Sequence, residues 1–202
     1  MSKTGTVGIV VSGEPPSWNS QSAAFAQGVK ATHDSIKVLY AVIGPAAYSD
    51  AVGGNRVTAS VIGAGADVIF GQGDGATFGM LQAVETGKSA SGGKVWFIDV
   101  IGDKTSIDKG NLLSSVVWNL VPVYSAMVED LKADKFGTKA YSIQLSDDSV
   151  QLLKTKHISD DVWADVSKVR DEIVGGSLKV EPVWEADKVR ALMTSVTDAP
   201  AQ

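Results

Sequence analysis

Thr6-Val7-Gly8-Ile9-Val10-Val11-Ser12 runs into Gly13-Glu14-Pro15-Pro16-Ser17-Trp18 and then into a segment of helical period, Asn19 to Thr32. A short uncharged run rich in β-branched residues, stopped by glycine and paired prolines, predicts a strand buried on both faces. Phe25 and Val29 then fall on one helix face, which predicts a crossover helix packing back on that strand. The unit recurs: strands are predicted at Ile36 to Ile43, Asp67 to Phe70 and Lys94 to Asp99. Helices are predicted between them, at Asp50 to Ala64 through Val57, Val61 and Ile62, and at Thr77 to Thr86 through Phe78, Leu81 and Val84. Repeated strand–helix alternation is the pattern of an α/β fold with a mostly parallel sheet flanked by helices.

Beyond Asn111 the run Leu112 to Val117 predicts another strand, and Pro122 to Lys132 a helix with Val123, Met127, Val128 and Leu131 on one side. Tyr141 to Leu145 reads as a further short strand. Asp160 to Val174 is the clearest helix: Ser159 stands at its N-cap, two aspartates fill its first turn, and Gly175-Gly176 ends it. Val162, Val166, Val169 and Ile173 are its expected buried face.

The chain has 202 residues, 44% hydrophobic and 20% charged, so it has the apolar content for a sizeable core, and disorder is excluded. No apolar run approaches the roughly 20 residues that cross a bilayer. A net charge of -5 removes the electrostatic footprint of a nucleic-acid binder. Without cysteine there is no disulfide, thiolate nucleophile, zinc ribbon or iron–sulfur ligation. His33 and His157 are expected at helix ends or in loops rather than as ligands. Met1-Ser2-Lys3-Thr4-Gly5 has no signal-peptide pattern, so any export signal is expected outside this chain.

Ligands of an open parallel α/β sheet bind beyond the carboxyl ends of the strands, which directs attention to the loops after each strand. Those loops bring aromatic rings (Trp18, Tyr48, Phe78, Trp118), carboxylates (Asp50, Asp74, Asp99, Asp103) and the glycine run Gly71-Gln72-Gly73-Asp74-Gly75. Rings that stack on a base and carboxylates that accept from ring N–H or ribose hydroxyls suit a flat, hydroxylated or aminated heterocycle. For each ring the competing role is a core anchor. The glycine run departs from the dinucleotide fingerprint in spacing and places Asp74 where a diphosphate would lie, so no cofactor is expected. Asp99 and Asp103 are read as hydrogen-bonding residues, and no metal is expected. There is no nucleophile elbow and no histidine in a strand-ending loop, so no catalytic residue is assigned. The enzymatic alternative is a small nucleotide- or sugar-handling protein using Glu14, Asp99 and Asp103.

At these loops the chain resembles the basic membrane protein (BMP) family, the PnrA-like purine nucleoside receptors of ABC importers. The resemblance rests on Val7-Gly8-Ile9-Val10, Phe25-Ala26-Gln27-Gly28-Val29-Lys30, Ala47-Tyr48-Ser49-Asp50 and Gly65-Ala66-Asp67-Val68-Ile69-Phe70. It continues through Gly75 to Ala83, Trp96-Phe97-Ile98-Asp99, Leu112 to Val117 and Ile173-Val174-Gly175-Gly176, and it is their order that carries it.

It implies a type I periplasmic-binding-protein-like (Rossmann-like) lobe, a purine nucleoside or nucleobase as ligand, an ABC permease and ATPase as partners, and an extracytoplasmic lipoprotein. Tyr48 falls at a base-stacking position of the family and Gly75 in its ligand loop. Ile101 and Trp118 stand where nucleoside-binding relatives have a ribose-contacting Asp and Lys, with Asp99 or Asp103 able to take over the first role, so a free base such as adenine joins the expected ligands. By the same resemblance residues 1–118 are the second ligand-binding lobe, 119–145 cross toward an absent first lobe, 146–190 form a C-terminal helical segment and 191–202 a frayed tail. The helix at Pro122 to Lys132 would then lack its partner, which favours dimerisation or repacking over exposure. Weak or absent ligand binding by this chain alone is the corresponding expectation. A ligand-sensing regulatory module of the same fold is the remaining alternative.

Overall fold

The computed structural model describes residues 1–193 and 195–196. Its elements are β1 (Thr6–Val11), α1 (Pro16–Thr32), β2 (Lys37–Val42), α2 (Ala51–Gly63), β3 (Val68–Gln72), α3 (Thr77–Thr86) and β4 (Trp96–Ile101). There follow β5 (Leu112–Trp118), α4 (Val121–Lys132), β6 (Val150–Leu152), α5 (Asp160–Val174), α6 (Ala186–Arg190) and β7 (Ser195–Val196). A single 3-10 turn, Asp74–Ala76, leads into α3.

The chain divides into two compact units. The first comprises Met1–Asp99, Lys104–Leu113 and the described residues from Val180 onward; the second comprises Val100–Asp103 and Ser114–Lys179.

In the first unit β1 is the pivot. It lies between β2 and β3 and runs parallel to both, with Val7 opposite Val38 on one side and Val68 on the other. β4 adds in parallel to β3, and β7 to β2. A strand paired on both edges and covered on both faces meets no water, and Ile9, Val10 and Val11 are 0% exposed. Val57 and Val61 of α2, Met80 and Val84 of α3 and Ala23 and Ala26 of α1 complete the core. Phe25 stacks on Phe70 with ring centroids 4.8 Å apart, fixing α1 over β3. Gly79 lets α2 and α3 pack closely, since a Cβ there would collide with the Ala51 carbonyl. At the N-terminal edge of the strands the Asp67 carboxylate accepts from the Ser2 hydroxyl (2.6 Å) and from the backbone N–H of Lys3 (2.5 Å) and Thr4 (2.9 Å).

In the second unit β5 pairs antiparallel with β6, Trp118 opposite Val150. Pro122 sits in the first turn of α4, as expected. Ser159 caps α5 by accepting from the Val162 N–H, and Gly176 with φ +76° follows its last turn.

Three expectations need correction, and a fourth falls partly outside the described residues. The first helix begins at Pro16 rather than Asn19, because a proline at the first helical positions gives up no needed N–H, and this places Trp18 inside the helix. Tyr141 to Leu145 is not a strand: Tyr141 is drawn to Asp130 by a 2.6 Å hydrogen bond, and Gln144 closes a turn by donating its N–H to Ser149 Oγ at 2.8 Å. The strand position goes to Val150–Leu152. No residue of α5 is buried, so Val162, Val166, Val169 and Ile173 do not form a buried face; Val162 and Val169 are among the exposed apolar residues. The tail expected at 191–202 lies partly outside the described residues, at 194 and 197–202, and Ser195–Val196 within it pair with Leu39 and Tyr40.

Candidate functional site

Three of the strand-end loops in the first unit are bonded into one structure. Because β1 lies between β2 and β3, the loop after it can reach both neighbours. Ser12 donates its N–H to the Gln72 carbonyl (3.0 Å), and its own carbonyl accepts from Ala47 N–H (2.7 Å). Its hydroxyl lies within reach of the Gln72 and Gly73 carbonyls, at 3.4 and 3.3 Å. The second and third loops meet where Ala76 N–H donates to the Tyr48 carbonyl at 3.1 Å. Gly75 makes this approach possible, since a Cβ there would stand 3.1 Å from that same carbonyl oxygen.

On this base Trp18 and Tyr48 meet edge to face, with centroids 5.3 Å apart and planes at 87°. Both are half-buried. The Tyr48 hydroxyl lies 3.3 Å from where a Gly13 Cβ would be, so the first loop closes against the ring. Asp74, exposed and held at φ +49°, opens the 3-10 turn beside them.

The remaining predicted residues have other surroundings. Asp50 is the N-cap of α2, its carboxylate accepting from Gly53 N–H at 2.8 Å. Phe78, 61% exposed, lines two adjoining surface grooves. One, of about 370 Å³, is shared with Val52, Asn55 and Arg56, and the other, of about 200 Å³, with Glu85, Ile107 and Lys109. Neither contains Trp18 or Tyr48. Asp99 is buried at the end of β4 with the Lys104 ammonium 3.4 Å away. Asp103 and Trp118 belong to the second unit, where Asp103 is exposed and Trp118 is half-buried on β5.

Between Asp99 and Lys104 the chain turns at Ile101, which has φ +75° while Gly102 N–H donates to the Val100 carbonyl at 2.9 Å. A three-residue turn closed over a β-branched residue in the left-handed region is strained.

A buried polar layer underlies the loops. Gln72 Nε2 donates to Ser22 Oγ at 2.7 Å, and Tyr40 donates its hydroxyl to Glu14 Oε1 at 3.0 Å. Arg190 grips the same carboxylate with Nε and Nη2, at 3.0 and 2.5 Å. Burial, and then the Glu14 charge, push the Tyr40 pKa up, with Arg190 acting in the opposite direction. Tyr40 left a signal in the sequence: a tyrosine inside an apolar strand needs a partner for its hydroxyl. Nothing marked Arg190 as that partner's counter-ion.

The mostly parallel sheet flanked by helices is an α/β fold, and solved structures share it. An ABC transporter solute-binding protein from Conexibacter woesei superposes with a TM-score of 0.70 at 20% identity, over 91% of this chain and 59% of that one. A second ABC transporter solute-binding protein, from Aeropyrum pernix, gives 0.75 at 15% identity, over 92% and 60%. A transcriptional activator of the comK gene from Bacillus halodurans gives 0.69 at 18% identity, over 90% and 60%. The chain thus spans about three fifths of the length of these solved proteins. No curated protein sequence gives a significant match. The chain belongs to the Bmp family of PnrA-like ABC transporter substrate-binding proteins, whose family model matches residues 1–182.

Proposed function

We propose that this chain is the ligand-holding part of an extracytoplasmic solute-binding protein of an ABC importer. It takes a purine nucleoside or nucleobase at the Trp18–Tyr48 corner and releases it unchanged to a permease and its ATPase. The observation that carries this reading is the bonding of three strand-end loops around that half-buried ring pair, in a chain of this family. An edge-to-face pair offers a ring face to a flat heterocycle, and Gly13 and Gly75 keep side chains out of its way. Asp74 at the rim is the acceptor for ring N–H or ribose hydroxyl groups. Asp50, Phe78 and Asp99 are proposed as outer contacts within the first unit.

Solved relatives are longer, so the opposing wall of a closed clamp is proposed to come from polypeptide corresponding to their remaining length. The exposed Val121, Tyr124, Val128 and Leu131 of α4 favour a further cover of that kind or a second copy. Membrane attachment as a lipoprotein belongs to the same reading.

A thermal-shift titration at millimolar adenosine, guanosine, inosine, adenine and hypoxanthine, with sugars and NAD as controls, tests it. A purine should raise the melting temperature, Trp18→Ala with Tyr48→Ala should abolish the rise, and the compound should be recovered intact. Stabilisation by NAD or a sugar instead, or conversion of the compound, refutes the reading. A ligand-sensing module is the second reading, because the fold is shared with a protein described as a transcriptional activator. It gains if the stabilising compound changes the oligomeric state of the chain.

A further inference from the structure

Residues 12–18, the loop and the first turn of α1, carry the aromatic wall, yet past Ser12 the two prolines leave the segment short of backbone donors. Pro15 and Pro16 have no N–H to donate, and Pro15, the N-cap of α1, provides no side-chain cap. What the loop has instead is Glu14. Its backbone carbonyl accepts from Asn19 Nδ2 at 3.1 Å, and its carboxylate is held by the Tyr40 hydroxyl and the Arg190 guanidinium. The next carbonyl, of Pro15, accepts from the N–H groups of Trp18 (2.9 Å) and Asn19 (3.0 Å). The position of Trp18 is therefore set one residue after the Glu14 clamp.

Arg190 reaches this clamp from a distant part of the sequence. The chain passes from the second unit to the first after Lys179, and residues 180–190 then run as a strap tied at successive points to α1 and its loop. Gln27 and the Glu181 backbone bond reciprocally, Gln27 Nε2 donating to the Glu181 carbonyl at 2.9 Å and Glu181 N–H to Gln27 Oε1 at 3.3 Å. Asn19 Nδ2, already bonded to the Glu14 carbonyl, also donates to the Trp184 carbonyl at 2.8 Å. Val189 within the strap is 0% exposed, and Arg190 ends it with a two-nitrogen grip on Glu14. A fork of this kind fixes orientation as well as distance, which a lysine at the same place would not do.

We infer that Arg190, with the strap that carries it, is a positioning residue for the ligand site: it fixes Glu14 and thereby holds Trp18 against Tyr48 in the binding orientation. The inference rests on the reading of that corner as the ligand site, and its first test does not need a ligand. Amide hydrogen exchange is followed by mass spectrometry in wild type, Arg190→Gln, Arg190→Lys and Tyr40→Phe. Arg190→Gln should speed exchange in peptides spanning 12–19 by about tenfold or more, with β1 and β3 protected as in wild type. Arg190→Lys should fall between the two, and Tyr40→Phe, which keeps the ion pair, should show a smaller effect confined to the same peptides.

The second arm measures binding of adenosine and of adenine. Where wild type binds, Arg190→Gln should lose affinity by about tenfold without losing the cooperative melt. Unchanged protection at 12–19, loss that spreads equally to β1 and β3, or purine affinity untouched by Arg190→Gln each overturn the positioning role. If wild type binds neither probe, the purine reading fails while the exchange result still decides the role of Arg190. Should Arg190→Gln not fold, exchange in the 12–19 peptides of Arg190→Lys and Tyr40→Phe decides the matter by the same criteria.

Discussion

The two units answer the same kind of sequence with opposite outcomes. In the first, the stripes of α2 and α3 close on a parallel sheet, and Val57, Val61, Met80 and Val84 are all 0% exposed. In the second, α4 and α5 carry equally regular stripes, yet neither has a buried residue among those described. The difference is not helix quality, since α5 has a side-chain N-cap as α2 does and a charged first turn besides. Periodicity states which face a helix would bury; whether it is buried depends on what stands opposite. The first unit supplies five parallel strands for the purpose, while β5 pairs with only the three-residue β6 in the second.

That contrast can be broken by a pair of truncations. Ile9→Ala, in the middle of the sheet, should cost roughly 2–5 kcal/mol in urea unfolding, because it opens a cavity that dense packing cannot fill. Val169→Ala in α5, where the side chain is 45% exposed, should stay within about 0.5 kcal/mol. Equal losses would mean that α5 is covered in solution by something that its exposure here does not reveal.

A smaller effect is expected at Ile101, where the chain leaves the first unit. Ile101→Gly should raise stability by about 1 kcal/mol, since glycine accepts φ +75° without steric cost and the strain outweighs its extra freedom when unfolded. A fall in the urea midpoint would show that the isoleucine side chain contributes more than its backbone costs.

The smallest effect sharpens the comparison through two tyrosines. Tyr40, buried beside Glu14, and Tyr141, bonded to Asp130 at the surface, both have raised pKa values, the latter pushed up to about 12. A raised folded value favours the neutral phenol, so its stabilisation is complete below the unfolded value of about 10 and is lost as pH rises through the folded value. Stability should therefore decline above about pH 10. Tyr40→Phe should flatten that decline and Tyr141→Phe should change it little, because solvent screens the exposed pair. Melting curves across the alkaline range, read beside phenolate absorbance, distinguish the two.

Much of the first unit is legible because its signals are local. Thr6 to Val11, Lys37 to Val42 and Val68 to Phe70 announce strands by branching and by the breakers after them, and the helices between them fall within a few residues of expectation. Trp18, Tyr48 and Gly75 are singled out as residues just past the strand ends, and the structure brings the two rings together. Glu14 draws attention as a loop carboxylate, but its role is hidden, because Arg190 lies 176 residues away and no local pattern links them. Phe78 lines grooves that include neither ring of the pair, for a related reason. A ring at the second position of a helix looks the same in sequence whether it turns to the loops or to the α2–α3 grooves, and the close packing that Gly79 permits is not readable beforehand. Tyr141 to Leu145 fails because alternation takes no account of the side-chain bonds to Asp130 and Ser149 that bend the segment into a turn.

The Asp67 carboxylate that collects Ser2, Lys3 and Thr4 has a practical consequence for handling the molecule. It secures residues 2–4 at the edge of the sheet where the strands begin, while the ring pair stands at the edge where they finish. A biotin or affinity tag joined ahead of Met1 would tether the protein to a sensor chip with Trp18 and Tyr48 turned toward the flowing solution.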